Sequence, residues 1–409
     1  MKGSGLWHAE QAWLGHRAED VLIEVREGRI ASVEEGTPAP GDAVVLKGWT
    51  IPGLANVHSH AFQRLLRAEI ESGGGDFWEW RAQMYRFTEW DAEDYSRHAR
   101  NVFREMLEAG ITAVGEFHYL HGHGNALGEA LIDAAQEEGI RITLIDACYL
   151  RGGLDGRPLE AEQRSFSDGD ADAWARRVDG LSDTDGARIA AAIHSVRAVD
   201  AESMRIVATY AREHRMPLHI HLAEQPGEVE ECLAVEGCTP AELLEREGIL
   251  GPDLTAVHAI HVNEHDIALL GANQVSVCAC PTTERDLGDR VGPLSELVEA
   301  GCALGVGSDS NAVVDIIEEA RALELDQRRA TGRRVLHQPE DLLRAATAGG
   351  MQSLGWEAGE LREGMLADFI TVDQQDSTWR ELSPSYIVFG FSACDVTNVV
   401  VGGRTVVSR

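Results

Sequence analysis

The most constraining feature of this chain is an alternation of short apolar, β-branched segments with longer segments of helical periodicity. Strands separated by helical crossovers lie parallel, and eight such units close into a (β/α)8 barrel of the TIM type. The sequence therefore predicts an α/β barrel. The eight strand candidates are residues 55–58, 113–118, 142–145, 189–194, 218–221, 255–258, 275–278 and 304–307. The helical candidates include residues 99–109, 127–138, 201–214, 240–247 and 294–300.

Both ends of the chain have strand patterns of a different kind, with alternating residues broken by glycine turns. Two or three strands alone are marginally stable in water, so we expect the two ends to build one small β-sandwich domain. The alternative is two separate extensions docked on the barrel. The predicted boundaries are residues 1–51 and 363–409 for the β-domain and residues 52–362 for the barrel.

Polar residues that can bind a metal follow several of the predicted strands. His58 and His60 are separated by one residue on an extended strand, so their side chains point to the same side. His221, His258 and Asp309 each end a distant apolar segment. In a barrel these strand ends meet at one rim, where active sites are built. A mixed nitrogen and oxygen site suits zinc or another first-row divalent ion better than calcium or magnesium. A His-x-His pair alone is also compatible with two polar residues at a strand end.

The same rim offers groups for hydrolysis of an imine or amidine-like carbon. A divalent cation supplies the nucleophile by lowering the pKa of its water. Asp309 and His258 would accept the proton of that water, and a neutral His258 would hydrogen-bond the tetrahedral centre. Glu224, as a carboxylic acid, would protonate the departing nitrogen. The alternatives are a salt bridge at a helix start for Glu224 and a helix N-cap for Asp309.

These residues resemble the amidohydrolase superfamily, whose pattern is His-x-His after strand one, His after strands five and six, and Asp after strand eight. The resemblance covers essentially the whole chain. It implies metal ligands at His58, His60, His221 and Asp309, with zinc as the first choice.

The resemblance also implies a single metal ion. Lys2 and Lys47 are the lysines of the chain, and both precede the barrel, so none is available there to be carboxylated and bridge two metals. The spacing of His221 and Glu224 is similar to that of the deaminase subgroup. The histidines at 118, 121 and 123 lack a clear carboxylate partner, so a second metal is not expected.

Further segments resemble the formimidoylglutamate deiminases, which hydrolyse N-formimino-L-glutamate to N-formyl-L-glutamate and ammonia in histidine breakdown. The resemblance implies that Arg81 and Arg197 bind the two substrate carboxylates, and planar guanidinium groups suit that task. It implies neutral hydrogen bonds from Gln63, Tyr119 and His194. The segments are residues 60–64, 77–86, 116–119, 194–197, 219–225 and 307–310.

Other interpretations stay open. Arg81 is also compatible with an exposed helix charge beside Glu79, and Arg197 with a surface ion pair to Asp200. Aromatic residues in segment 77–85 fit either a loop over the pocket or ordinary packing. The same metal site would serve a deaminase of a purine, pterin or guanidine compound. A third alternative is a barrel that has lost catalysis and serves as a binding or scaffold protein. The loop at 280–289 lacks the Pro-x-Ser-Asn pattern of nucleobase deaminases, which speaks against a nucleobase.

Composition limits the possible partners and compartment. The chain has 36 basic and 68 acidic residues and a net charge of −32, which argues against binding to nucleic acid or an anionic membrane. Its seven cysteines form no Cys-x-x-Cys pair and are odd in number, unlike a disulfide framework. We therefore expect a cytoplasmic enzyme with a small dicarboxylate substrate. Barrels of this family often pair, so we also expect a homodimer.

Overall fold

The computed structural model describes residues 2–67, 84, 90–373 and 383–409. Within them the strands form two sheets, one of seven strands and one of eight. The strands are β1 (Gly5–Trp13), β2 (Arg17–Arg26), β3 (Arg29–Glu34), β4 (Val44–Pro52), β5 (Leu54–Ser59), β6 (Ile111–His118), β7 (Arg141–Cys148), β8 (Ala187–Ser195), β9 (Leu218–Leu222), β10 (Leu254–His258), β11 (Ser276–Ala279), β12 (Ala303–Val306), β13 (Phe369–Val372), β14 (Val396–Val401) and β15 (Arg404–Ser408).

The helices lie mainly between the barrel strands. They are α1 (Ala92–Glu108), α2 (Ala126–Glu138), α3 (Ala171–Val178), α4 (Ala201–His214), α5 (Pro226–Glu236), α6 (Pro240–Arg246), α7 (Glu264–Ala272), α8 (Pro281–Leu287), α9 (Leu294–Ala300), α10 (Ile316–Thr331), α11 (Pro339–Arg344), α12 (Gly350–Ser353) and α13 (Pro384–Gly390). Several begin at side-chain caps that satisfy free backbone N–H groups. Asp91 accepts from Asp94 N at the start of α1, and Thr239 with Glu242 forms a capping box at α6. The cap at Asp91 explains why α1 begins earlier than the predicted helix at 99–109.

The eight-stranded sheet is the barrel. Its strands pair in chain order from β5 to β12, and the pairs are parallel. Strands β5, β6, β7, β9 and β10 are buried along their whole length, as expected where helices cover one face and barrel contents the other. Two predicted strands, 275–278 and 304–307, are displaced by one residue in β11 and β12.

The barrel closes where the chain after β12 meets β5. Ser59 and Asp309 form a parallel bridge there, and the Asp309 N–H donates to the His58 carbonyl over 2.9 Å. Gly307 permits this approach, because a Cβ on it would lie 2.8 Å from both the backbone N and O of His58. Closure of the barrel therefore brings the first and last predicted metal ligands together.

The seven-stranded sheet joins the two ends of the chain, in the order β15-β14-β13-β4-β1-β2-β3. The C-terminal β13 pairs antiparallel with the N-terminal β4, with Ile370 opposite Ile51. A buried bidentate ion pair fixes this domain to the barrel, since Arg141 at the start of β7 contacts Asp368 over 2.6 and 3.0 Å. The predicted fold class, a (β/α)8 barrel with a small β-domain built from both termini, is confirmed. No helix of the described residues is both long and apolar enough to cross a membrane.

Candidate active site

Four predicted metal ligands converge at the carboxyl ends of β5, β9 and β12. The Nε2 atoms of His58 and His221 are 3.1 Å apart. The Asp309 Oδ1 atom lies 3.5 Å from Nε2 of His58 and 3.5 Å from Nε2 of His60. Ligand atoms held about 2.1 Å from a tetrahedral zinc ion are about 3.4 Å apart, so these separations fit one divalent cation.

Hydrogen bonds at the far side of two rings set their tautomers. His60 Nδ1 donates to the Phe117 carbonyl and His221 Nδ1 donates to the His194 carbonyl, each over 2.9 Å. Each Nε2 therefore carries a lone pair directed into the cluster. Backbone partners of this kind orient histidine ligands in metal sites.

Burial keeps the three imidazoles uncharged. It lowers the pKa of His58 and His221, and it lowers the pKa of His60 to about 3. Burial acts to raise the pKa of Asp309, but the hydrogen bond to His58 and the charges of the nearby imidazoles outweigh it, so its pKa is lowered. Facing lone pairs and a carboxylate in a buried cluster repel one another unless a cation lies between them. The donor set therefore fits a divalent metal ion.

Beside the cluster, His258 lies among three carboxylates. Its Nδ1 donates to Glu284 Oε1 over 3.3 Å, and its Nε2 lies 3.8 Å from both Glu224 Oε1 and Asp309 Oδ2. Burial opposes the charged ring, but Glu224, Glu284 and Asp309 outweigh it and raise the pKa of His258 to about 10. These carboxylates favour a protonated His258, whereas we had expected a neutral ring from the sequence.

Glu224 is buried at the start of the loop between β9 and α5. Burial is the main cause that raises its pKa, to about 7, although His258 and Arg197 act in the opposite direction. A carboxyl group with this pKa holds a proton near neutral pH and can release it, as a general acid must. The Nη2 atom of its neighbour Arg197 lies 3.6 Å from the Oε2 atom of Glu224.

Five residues at this rim have positive φ angles although none is glycine, and three of them are beside or within the predicted site. These three are Ala223 at 49°, His258 at 72° and Asp309 at 44°. This left-handed conformation is uncommon for residues with a Cβ, and it concentrates at functional sites. It also shows that Asp309 is not a helix N-cap: Asp315 caps the following helix, α10.

A cavity opens above the metal cluster, lined by residues of several strand-end loops. Tyr119, Gln63 and His194, all predicted to bind substrate, line it, and Gln63 Nε2 donates to the Tyr119 hydroxyl over 3.3 Å. Met84 completes this wall, with its sulfur 2.9 Å from the Tyr119 hydroxyl. The described residues do not include Arg81 or, apart from Met84, segment 77–85. The roles predicted for them therefore stay predictions.

The predicted Arg197 also lines the cavity. Its Nε donates to Glu228 Oε2 over 3.1 Å, and Glu228 in turn accepts from the Ala223 N–H over 3.0 Å. The alternative surface pair with Asp200 is wrong, because Arg197 is half-buried against Glu228 and Asp200 caps helix α4. Among the described residues, no carboxylate lies within hydrogen-bond distance of its Nη groups, the nearest being Glu224 at 3.6 Å.

Other polar residues at the strand ends face away from the cavity. Glu116 accepts from the Ala61 N–H over 2.6 Å and so fixes the turn after His60. The ring of His118 packs against Tyr95 and His121 behind the barrel. Although both residues lie at the end of β6, they do not join the site, because Phe117 takes the inward position between them and the side chains alternate.

The sequence did not reveal which residues support the ligands. Asn56 exchanges hydrogen bonds with Ser308, and the Ser308 hydroxyl donates to Asn311 Oδ1 over 2.7 Å. Asn311 then donates to the His60 carbonyl over 3.1 Å. Glu284, which lies in the segment 280–289 after β11, is the partner of His258. Asn56 could have been noticed as a polar residue inside an apolar strand. Its partner Ser308 lies 252 residues away in the sequence, so the contact itself could not be predicted.

A model of the amidohydrolase family matches residues 49–406, which include the whole barrel and the C-terminal part of the β-domain. The chain belongs to the amidohydrolase family. Members of this family bind a divalent metal, in agreement with the cluster of His58, His60 and His221 with Asp309. The resemblance noted in the sequence is therefore confirmed.

Individual amidohydrolases extend this comparison. The chain is 33% identical to formimidoylglutamate deiminase of Pseudomonas aeruginosa, over 95% of this chain and 91% of that protein. It is 31% identical to a 5-methylthioadenosine/S-adenosylhomocysteine deaminase of Natronomonas pharaonis, over 96% and 89%. The crystal structure of an amidohydrolase from Brucella melitensis superposes with a TM-score of 0.91 at 31% identity, covering 99% of this chain and 95% of that one.

These findings define the class of reaction. The amidohydrolase relatives that match along the whole chain include a deiminase and deaminases. The site joins a metal-ligand cluster to buried proton-transfer groups, His258 and Glu224. The protein is a hydrolase that acts on C–N bonds.

Proposed function

We propose that this amidohydrolase hydrolyses N-formimino-L-glutamate to N-formyl-L-glutamate and ammonia. Water adds to the formimino carbon and the bond from that carbon to the terminal nitrogen breaks. Both protons of the water, passed through Asp309 and Glu224, end on that nitrogen, which leaves as ammonia. The observation that carries the proposal is the position of Arg197, whose guanidinium lines the cavity 3.6 Å from Glu224. The similarity to a formimidoylglutamate deiminase supports it.

The residues divide the chemistry between them. His58, His60, His221 and Asp309 would hold a divalent cation, which would supply a nucleophile by lowering the pKa of a water, and zinc suits three imidazoles and one carboxylate. Glu224 holds a proton because burial raises its pKa to about 7, and it delivers that proton to the departing nitrogen.

The second group that acts on the substrate is His258, which its carboxylate neighbours keep protonated. Its Nε2 lies 3.8 Å from both Asp309 and Glu224, where it can hydrogen-bond the developing oxygen. Glu284 fixes the other ring nitrogen. Deletion of Glu284 should therefore misorient the ring rather than empty the metal site.

Recognition of the amino acid would rest on charge. Arg197 has Nη donors that neither Glu228 nor Glu224 holds within hydrogen-bond distance, and a substrate carboxylate next to the reacting carbon can accept from them. Gln63, Tyr119 and His194 supply neutral hydrogen bonds on the opposite wall. Arg81 remains the predicted second carboxylate ligand.

A second candidate is a deaminase of a purine nucleoside, favoured by the 31% identity to the 5-methylthioadenosine/S-adenosylhomocysteine deaminase. Ammonia release from N-formimino-L-glutamate, 5-methylthioadenosine, guanine and an N-acyl glutamate, measured on the metal-loaded protein, separates the two. We expect turnover of the formimino compound alone. Release of ammonia from the nucleoside at a higher kcat/KM would refute the proposal.

A further inference from the structure

Helix α8 begins with three consecutive buried polar residues, Thr282, Thr283 and Glu284. Glu284 accepts from His258, as described above. Thr282 is held by the buried carboxylate of Glu319 in α10, which accepts from the Thr282 N–H over 3.0 Å and also from its hydroxyl. These contacts fasten the first turn of α8 on both sides of Thr283, so the backbone at Thr283 is fixed in place.

The Thr283 hydroxyl bonds to both residues that flank Asp309. It donates to the Ser308 carbonyl over 3.0 Å and accepts from the Ser310 N–H over 3.2 Å. The Ser310 hydroxyl lies 3.0 Å from the same oxygen. A threonine hydroxyl has one donor and two acceptor positions, and these three contacts use all of them. The fully buried side chain of Thr283 therefore spans a predicted metal ligand through its two neighbours.

Asp309 needs such support because its backbone is strained. Its φ of 44° is a conformation that residues with a Cβ rarely adopt, and it persists only where the surrounding structure holds it. Strand β5 holds Asp309 from one side: its N–H donates to the His58 carbonyl over 2.9 Å, and its carbonyl accepts from the His60 N–H over 2.8 Å. Thr283 completes the support from the side of β11.

The conformation of Asp309 decides where its carboxylate points. The Oδ1 atom lies 3.5 Å from the Nε2 atoms of His58 and His60. The Oδ2 atom lies 3.8 Å from Nε2 of His258. A change of the backbone toward an unstrained φ would move both oxygens away from these positions. The hydrogen bonds of Thr283 go to the neighbours of Asp309 and not to its carboxylate, so the effect of Thr283 on the site passes through the backbone.

We propose that Thr283 is a positioning residue, whose hydroxyl holds Asp309 in the conformation that directs one carboxylate oxygen to the metal cluster and the other to His258. Since the next residue, Glu284, orients His258, the first turn of α8 sets both groups. Loss of the hydroxyl removes the acceptor of the buried Ser310 N–H, which favours a rearranged loop. The kinetic part of this inference rests on the proposed function, whereas its metal-binding part does not depend on the substrate.

Thr283→Val removes the hydroxyl and nearly keeps the shape of the side chain. We expect kcat for N-formimino-L-glutamate to fall about 10- to 100-fold, with KM changed less than about threefold, because the residues that line the cavity are untouched. The dissociation constant for zinc, measured by competition with a chelator, should rise at least about tenfold. The visible absorption spectrum of the cobalt-substituted protein should change as well, since the ligand geometry is altered. Thr283→Ser, which keeps the hydroxyl, should restore most of the zinc affinity and of kcat.

Thr143→Val is the matched control. Thr143 is also fully buried, and its hydroxyl donates to the Leu354 carbonyl over 2.9 Å and accepts from Trp356 Nε1 over 3.0 Å. It lies near the start of β7, away from the strand ends that carry the metal ligands. This variant should lose stability in chemical denaturation, as Thr283→Val does, but keep the zinc affinity, the cobalt spectrum and kcat of the wild type.

The outcomes separate this inference from the proposed function. If the wild-type protein releases no ammonia from N-formimino-L-glutamate, the proposed function fails, and zinc affinity and the cobalt spectrum still decide the role of Thr283. Wild-type values of both in Thr283→Val would overturn the inference. So would a Thr283→Ser variant that binds zinc no better than Thr283→Val. Thr283→Ala, which also lacks the hydroxyl, should show the same defects and replaces the valine variant if that variant does not fold.

Discussion

Replacing Glu224 with glutamine keeps the size of a buried side chain but removes the proton that the carboxylic acid delivers. General acids contribute about 10²- to 10⁴-fold to a rate, so kcat of Glu224→Gln should fall by that factor, or about 3 to 5 kcal/mol in activation free energy. The KM should change less than about tenfold, because the Nε of Arg197 remains held by Glu228. Steady-state ammonia release from N-formimino-L-glutamate measures both constants.

The same substitution should stabilise the fold. Burial raises the pKa of Glu224 from 4.5 to about 7, so the charged carboxylate is disfavoured in the folded state. At 1.36 kcal/mol per pKa unit, ionisation of this group costs the folded protein about 3 kcal/mol above pH 7 and nothing below about pH 4.5. The free energy of unfolding of Glu224→Gln should therefore exceed that of the wild type by up to about 3 kcal/mol at pH 8. This gain should shrink as the pH falls toward 5.

If Glu224 is a buried proton donor, Glu224→Gln should have lower activity and higher stability than the wild type. Urea denaturation at pH 8 and pH 5.5 measures the stability difference. Glu230→Gln, an exposed position on α5, removes one carboxylate of the same helix region and should alter neither quantity. A variant that keeps more than about a tenth of the wild-type kcat, or that loses stability and activity together at pH 8, would refute the assignment.

Three further predictions concern residues outside the proton donor. Asp368→Ala should lower the free energy of unfolding by about 3 to 5 kcal/mol in chemical denaturation, because it leaves the buried Arg141 guanidinium unpaired; a loss below 1 kcal/mol would contradict this. The pKa of Asp146 is lowered to about 2, since His121 and Arg177 outweigh its burial. Its charge should therefore contribute about 2 kcal/mol above pH 4, lost as the pH falls toward 2, and Asp146→Asn should remove this pH dependence. Gly307→Ala should weaken zinc binding at least tenfold by calorimetry, because the new Cβ would meet the His58 backbone; unchanged affinity would show that the closure tolerates it.

Much of the fold and part of the site could be predicted from local sequence. The eight apolar segments revealed the barrel because parallel strands covered on both faces are apolar along their length. His58 and His60 stood out because a period of two puts them on one side of a strand. The outcome for Glu116 and His118 shows the limit of this argument, since one intervening residue, Phe117, decides which face points inward.

The sequence by itself determined the donor types of the metal site, the absence of a barrel lysine and the alternation that forms the barrel. Tertiary structure alone decided which distant charges meet. His258 gains three carboxylate neighbours, and Arg197 is paired with Glu228. The physical reason is that pKa values and free hydrogen-bonding groups depend on distances and burial across the closed barrel, which spacing along the chain does not encode.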